Sequence, residues 1–333
     1  MQNYLIIRQW LEQRATHFTR PALMRAAETI SERYRRISFA RSESMTIRSD
    51  IEAMAYALTR LPATYAASYE VIGHLRAIWA EEANDGFSIL DIGAGAASAA
   101  LAALAYWPIM GVLNLVEPNR YLSALGQNLL SSLYPDHQVQ WQKNNIKSLK
   151  GNDFMYDIVL ASYMLNEIEH EEGQAGLELA ISRLWPLTKR ALVIIEPGTP
   201  AGYQLIMKMR DVLLGLNAHI AAPCPHHHRC PLLDSSEQNR WCHMSVRVER
   251  GSLHRQLKPG ATMPYEDEKY SYLIAMRDVP ARPRYRLIGH PRGSKPLEVD
   301  VCINNGSSAH MQVGKSHTDY KIVRRAKWGD AIF

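Results

Sequence analysis

The chain has 333 residues, 47% of them hydrophobic, and a formal net charge of +5. That length fits two domains, or one domain with an appendage, and supplies enough apolar residues for a real core. No apolar run approaches the roughly 20 residues that cross a bilayer, and the N-terminus MQNYLIIRQWLEQRATHF lacks the apolar core and small-residue cleavage site of a secretory signal, which argues against membrane and secreted classes.

Residues 1–83 read as helical, with apolar and Ala-rich positions at three- and four-residue spacing through DIEAMAYALTRLPATYAASYEVIGHLRAIW. Pro62 is expected to end one helix of this stretch, and Asn84-Asp85-Gly86 to turn the chain. FSILDIGAGAASAALAALAYW then reads as a strand, a glycine turn and an Ala-rich helix. GVLNLVEP, VQWQKNNI, YDIVLASYMLNEI and RALVIIEPGTPAG supply four more strands, and YQLIMKMRDVLLGL a helix after the fifth. Strands alternating with helices predict a doubly wound, mostly parallel sheet. A loop rich in Pro, His and Cys follows at 223–243. Beyond residue 283 the texture is β, in RYRLIGHP, LEVDVCI, AHMQVGK and YKIVRRAK, with Asn305-Gly306 a hairpin turn between the second and third. The expected organisation is therefore a helical region at 1–83, a Rossmann-like domain at 84–222, a cysteine-rich insertion at 223–282 and a basic β-rich region at 283–333.

Asp91-Ile-Gly93-Ala-Gly95-Ala-Ala97 falls where the first strand meets its helix. Glycines there let the backbone approach a ligand, and the helix N-terminus offers free N–H groups. Glu117 ends the next strand, 22 residues past Gly95, where an acid takes both ribose hydroxyls of a nucleoside. The glycine pattern alone would also suit NAD. Asp91, two positions before the first glycine, and the helical region preceding the motif favour S-adenosylmethionine (SAM). The third strand ends at Asn144-Asn145, and the Asn145 amide can hydrogen-bond adenine.

After the fourth strand, enzymes that methylate base amines carry D/N-P-P-Y/F. Here the loop reads Ser162-Tyr163-Met164-Leu165-Asn166-Glu167. Tyr163, Asn166 and Glu167 are candidates to line an acceptor pocket, or equally core and capping residues. Carbon-5 pyrimidine methylation needs a cysteine nucleophile, and the 223 residues before Cys224 contain none.

All four cysteines, Cys224, Cys230, Cys242 and Cys302, lie in the last third, spaced C-x5-C-x11-C-x59-C. In a reducing compartment such clusters bind metal more often than they form disulfides. Zinc on four cysteines is one reading, as is zinc on three with His226, His227, His228 or His243. The spacing lacks the paired C-x2-C knuckles of zinc modules, and a [4Fe–4S] cluster, which takes ligands from distant loops, is the other reading. Radical SAM chemistry fits poorly, because it needs three closely spaced cysteines and an open iron.

AHIAAPCPHHHRCP, WCHMSVRVERGSLHR, EDEKYSYL, RLPATYAASYEVI, ASYMLNEI, LVIIEPGTPAGYQLI and the terminal Trp328-Gly329-Asp330 resemble the mitochondrial small-ribosomal-subunit methyltransferase-like proteins and their bacterial relatives. The resemblance spans nearly the whole chain, and its Pro-Cys-Pro-His block and Glu196-Pro197-Gly198-Thr199-Pro200 turn are specific. It implies a Rossmann-like SAM-dependent methyltransferase fold with a helical N-terminal region and a metal-clamped β-rich extension. It also implies association with the small ribosomal subunit during assembly and contact with its rRNA. Cys224, Cys230, Cys242 and Cys302 match the ligands of a structural [4Fe–4S] cluster. Asp91, Gly93, Gly95 and Glu117 match the SAM site, from which Ala97 and Asn145 depart.

The charge distribution agrees with a polyanionic partner. Residues 1–60 carry ten Arg against six acids, and residues 277–333 eleven Lys/Arg against five. Phosphate contacts are expected from Arg282, Arg284, Arg286, Arg324, Arg325 and Lys327. The main expectation is a SAM-binding assembly factor, monomeric when free; the alternatives are an active rRNA methyltransferase and a zinc-stabilised RNA-binding module. The expected compartment is the bacterial cytoplasm, or the mitochondrial matrix in a eukaryote.

Overall fold

The structure, a computed structural model, describes residues 2–37, 47–79, 86–107, 111–146, 154–233, 240–258, 260 and 262–333. The expected turn residues Asn84 and Asp85 lie outside these.

Three helices come first: α1 (Gln2–Ala15), α2 (Arg20–Ile37) and α3 (Asp50–Ile78). Ser49 caps α3 by accepting from the Glu52 amide at 3.3 Å, and the Glu52 carboxylate takes both arms of Arg33 on α2 at 2.6 and 3.0 Å. Helix α3 does not end at Pro62 but continues through it. An internal proline costs ~3 kcal/mol. Leu58, Leu61 and Tyr65 are all buried around it, and each such side chain returns roughly 1.5–3 kcal/mol, so packing outweighs the break.

Strands and helices then alternate, except that β4 is the next described element after β3: β1 (Ile89–Ile92), α4 (Ser98–Tyr106), β2 (Leu113–Val116), α5 (Arg120–Leu133), β3 (Val139–Gln142), β4 (Tyr156–Ser162), α6 (Leu165–Leu184), β5 (Thr188–Pro197) and α7 (Pro200–Gly215). After them come β6 (His219–Ala222), β7 (Met244–Glu249), α8 (Ser252–Leu257) and β8 (Tyr265–Met276). The α/β sheet runs β3-β2-β1-β4-β5-β8-β6, with β7 paired to β8. β1 is parallel to β2 and β4, and β2 to β3, while β8 is antiparallel to β5 and β6. A doubly wound parallel sheet that admits one antiparallel strand near its edge is the Rossmann-like architecture of SAM-dependent methyltransferases.

The chain divides into two compact units, 1–189 with 246–268 and 190–245 with 269–333. In the first, β1 is buried along its whole length and α4 is apolar on all sides and buried, as a helix packed between other elements has to be.

The second unit contains a smaller sheet: β9 (Tyr285–Leu287), β10 (Arg292–Gly293), β11 (Leu297–Ile303), β12 (Ser308–Val313) and β13 (Ala331–Ile332), with the short helix α9 (Tyr320–Val323) before β13. Its order is β10-β11-β9-β13, and β12 pairs with β11. Asn305-Gly306 does turn the β11–β12 hairpin, with Gly306 at φ +92°. Leu287, Val299, Val301, Val313 and Val323 form its core. The expected β texture of 320–327 is not realised: Tyr320–Val323 is helical, and the helix buries Val323 alone. Among the described residues no helix is long and apolar enough to cross a membrane.

Candidate functional site

The first unit holds a cavity of about 790 Å³ at the carboxyl ends of β1, β2 and β4, the edge where doubly wound sheets bind ligands. Gly93, Gly95, Glu117, Asn145, Tyr163 and Glu167 line it, as do Tyr56, Leu61 and Thr64 of α3. The sequence pattern brings the first group together, but nothing in it singled out the α3 residues, whose helical spacing reads as ordinary core.

The turn after β1 takes left-handed backbone at Gly93 (φ +66°), Gly95 (φ +53°) and Ala97 (φ +69°). A Cβ on Gly93 would stand 2.7 Å from Met164 Cβ, so that position tolerates glycine only. Ala97 occupies the third glycine's place and carries the steric cost of a side chain there. Glu117, 7% exposed, accepts from the Gly95 amide at 2.8 Å and the Asn119 amide at 2.7 Å. Burial raises its carboxyl, and these two amides oppose the rise. Both of its oxygens are thus held by backbone amides at the cavity wall.

Asp91 does not line the cavity. It is 1% exposed and lies behind the turn, where Oδ2 accepts from the Ala100 amide in the first turn of α4 at 3.1 Å. Oδ1 has no partner among the described residues. Burial pushes this carboxyl up to about 7, with a further push from Glu117. Asp91 therefore shapes the helix start and the glycine turn.

Tyr163 adopts φ +58° at the end of β4, and its hydroxyl donates to Glu268 at 3.1 Å; Arg60 binds the same carboxylate at 3.3 Å. A strained tyrosine tied to an ion pair holds the loop after β4 in place. Asn166 and Glu167 are exposed. The surrounding protein, Glu117 and Glu171 push the Glu167 carboxyl up, and water screens that push at an exposed side chain.

All four cysteines lie in the second unit. Cys224 and Cys230 are buried, and Cys242 and Cys302 partly so. Burial raises the thiols of Cys224, Cys242 and Cys302, and the neighbouring cysteines add to the rise in each. The Tyr203 hydroxyl donates to Cys230 Sγ at 3.3 Å. His226 Nδ1 lies 3.2 Å from the His228 carbonyl, which can only accept, so Nε2 is left to accept from Cys302 Sγ at 3.4 Å. Among the described residues, no three His, Cys, Asp or Glu side chains converge on a single ion position.

Of the cations expected to meet RNA, Arg282, Arg284, Arg324, Arg325 and Lys327 are exposed. Arg284 also binds Asp319 with both arms, at 2.8 and 3.0 Å. Arg286 is a correction. It is 4% exposed, and its guanidinium donates to the carbonyls of Pro223 and Gly329. Alternation along β9 puts it on the face opposite Tyr285 and Leu287, where the two carbonyls enclose it, out of reach of a phosphate backbone.

A family model described as the mitochondrial small ribosomal subunit Rsm22 matches residues 50–333. The Rsm22-cox11 tandem protein 2, mitochondrial, of Schizosaccharomyces pombe is 26% identical over 87% of this chain and 44% of its own length. The human "Ribosome assembly protein METTL17, mitochondrial" is 27% identical over 53% of this chain and 39% of its own. The chain thus spans less than half the length of these relatives. Among solved structures, the SAM-bound magnesium protoporphyrin IX methyltransferase of Synechocystis PCC 6803 is similar at TM-score 0.41 and 14% identity, over 74% of this chain and 90% of that one. The plantazolicin methyltransferase BpumL has TM-score 0.41 at 12% identity, over 82% and 99%.

Proposed function

Because this chain belongs to the mitochondrial small ribosomal subunit Rsm22 family, we propose that it is a SAM-binding, methyltransferase-like assembly factor of the small ribosomal subunit. It works as a single chain on rRNA, in the bacterial cytoplasm or the mitochondrial matrix according to its host. The observation that carries this is the cavity beside the glycine turn, with Glu117 poised for a ribose and no D/N-P-P-Y/F loop opposite it. In the bound state Glu117 would exchange the Gly95 amide for the ribose hydroxyls. Asn145 would face the adenine, and the Gly93–Gly95 backbone would pack against the methionine part. The acceptor side favours binding over transfer, since the Tyr163 hydroxyl is already committed to Glu268.

The four cysteines suit a [4Fe–4S] cluster. A single zinc needs all its sulfurs about 2.3 Å from one point, whereas each iron of a cluster takes its own thiolate, so the sulfurs need not converge. Such a cluster would supply a rigid cross-link between Cys302 of β11 and the loop after β6, ordering the exposed cations around Arg282 and Arg325 for RNA.

Equilibrium dialysis with methyl-tritiated SAM tests the cavity. Saturable binding that Glu117→Ala weakens at least about ten-fold, with no label passed to naked rRNA or small subunits, is expected. Absence of SAM binding contradicts the cofactor assignment. Label incorporated into rRNA establishes the alternative, an active rRNA methyltransferase aligned by positioning.

A further inference from the structure

Two arginines are buried in the unit that holds the cysteines. Arg210, on α7, is 1% exposed, and Arg286, on β9, is 4% exposed. Arg210 Nη2 donates to the carbonyls of His226 at 3.0 Å and His228 at 2.8 Å. Arg286 donates to the carbonyl of Pro223, and to that of Gly329 at 2.6 Å. Three of these four carbonyls lie within the segment that carries Cys224 and ends at Cys230, so both guanidiniums latch the cysteine loop.

Carbonyls satisfy N–H groups but leave each positive charge in place. Buried charge is costly unless an anion balances it. Among the described residues the carboxylate nearest Arg210 is Asp211 at 3.7 Å, which is 73% exposed and therefore screened. Arg286 has no carboxylate within ion-pair distance among the described residues. Both cations instead bind the loop that carries Cys224 and Cys230, whose thiols become anions on binding a metal. With neutral thiols the two charges stay unbalanced. Four thiolates on a doubly charged cation or core leave a dianion, which two guanidiniums match in number and sign.

We propose that Arg210 and Arg286 are the positioning and counter-charge residues of the four-cysteine site, holding its loop and balancing a dianionic metal–thiolate occupant. This rests on the assignment of the cysteines as metal ligands. The pair would also favour reduction of a cluster, which adds negative charge, because net charge and hydrogen bonding set cluster potentials.

The test loads the full chain anaerobically with iron and sulfide. Iron per chain, the rate of iron loss to a chelator and the midpoint potential are then measured for wild type and for Gln and Lys variants of both arginines. For Arg286→Gln and Arg210→Gln, iron loss at least about ten-fold faster and a lower midpoint potential are expected. For Arg286→Lys and Arg210→Lys, which keep the charge, both quantities should stay near wild type. Where a Gln variant does not fold, its Lys partner carries the test. Gln variants that hold iron and potential like a loaded wild type overturn the counter-charge role alone. Lys variants that fail as badly as Gln reduce the arginines to carbonyl latches and overturn it too. A wild-type chain that takes up neither iron nor, in a parallel loading, zinc overturns the ligand assignment and this inference with it.

Discussion

Asp91→Asn should stabilise the ligand-free protein at alkaline pH while weakening SAM binding. Asp91 is buried, with one oxygen on the Ala100 amide and the other without a partner among the described residues. Its folded pKa, raised to about 7 from 3.8, means the fold prefers the neutral acid. The stability this group contributes is fully present below about pH 4 and is lost as pH rises through about 7. At pH 8 the gap of about three units corresponds to at most about 4 kcal/mol, and at pH 5 to about 1.5 kcal/mol. Asparagine keeps an acceptor for Ala100 and never ionises, so it recovers most of that difference. Near-isosteric exchange leaves the packing intact. Thermal or urea unfolding of both proteins at pH 5 and pH 8 measures the effect. The midpoint gain of Asp91→Asn should be several degrees at pH 8, at about 2–4 °C per kcal/mol, and much smaller at pH 5. A gain equal at both pH values, or destabilisation at pH 8, would refute the buried-carboxylate reasoning. The cost should appear as weaker SAM binding at pH 8, because the ligand's positive sulfonium favours an ionised Asp91.

Ala97→Gly removes the Cβ from a left-handed position (φ +69°) and should stabilise the protein by about 1 kcal/mol, read as a higher unfolding midpoint. Cys302→Ser should remove iron from the chain and lower the unfolding midpoint of the loaded protein; full iron content with unchanged stability contradicts a four-cysteine site. Replacing Arg325 or Lys327 with Ala should weaken RNA binding across sequences. It should also reduce the slope of log K against log salt by about 0.7–0.9 for each phosphate that is no longer neutralised, measured by filter binding.

The parallel half of the sheet was legible because β1, β2, β4 and β5 are short apolar runs, with a glycine turn after the first. Strand β8 was not. It opens Tyr265-Glu-Asp-Glu-Lys and is continuously buried only from Tyr270 onward, so its first half reads as a solvated loop. Pro62 misleads for the opposite reason: the local penalty is real, and only the packed surroundings of α3 outweigh it. The cysteines declared themselves by clustering, but Arg286 did not separate from its neighbours Arg282 and Arg284. Counting charge treats every arginine as surface, and only the Pro223 and Gly329 carbonyls, brought beside β9 by the fold, keep this one buried. The α3 contribution to the cavity was equally hidden, since Tyr56, Leu61 and Thr64 carry no motif.

The most direct measurement is sedimentation of the tagged chain through sucrose gradients of host lysate depleted of late assembly steps, with rRNA identified in each fraction. The chain is predicted to travel with small-subunit precursors and their rRNA, and to be released by raised salt. A chain that stays at the top of the gradient, or that follows large subunits instead, would contradict its role in small-subunit assembly.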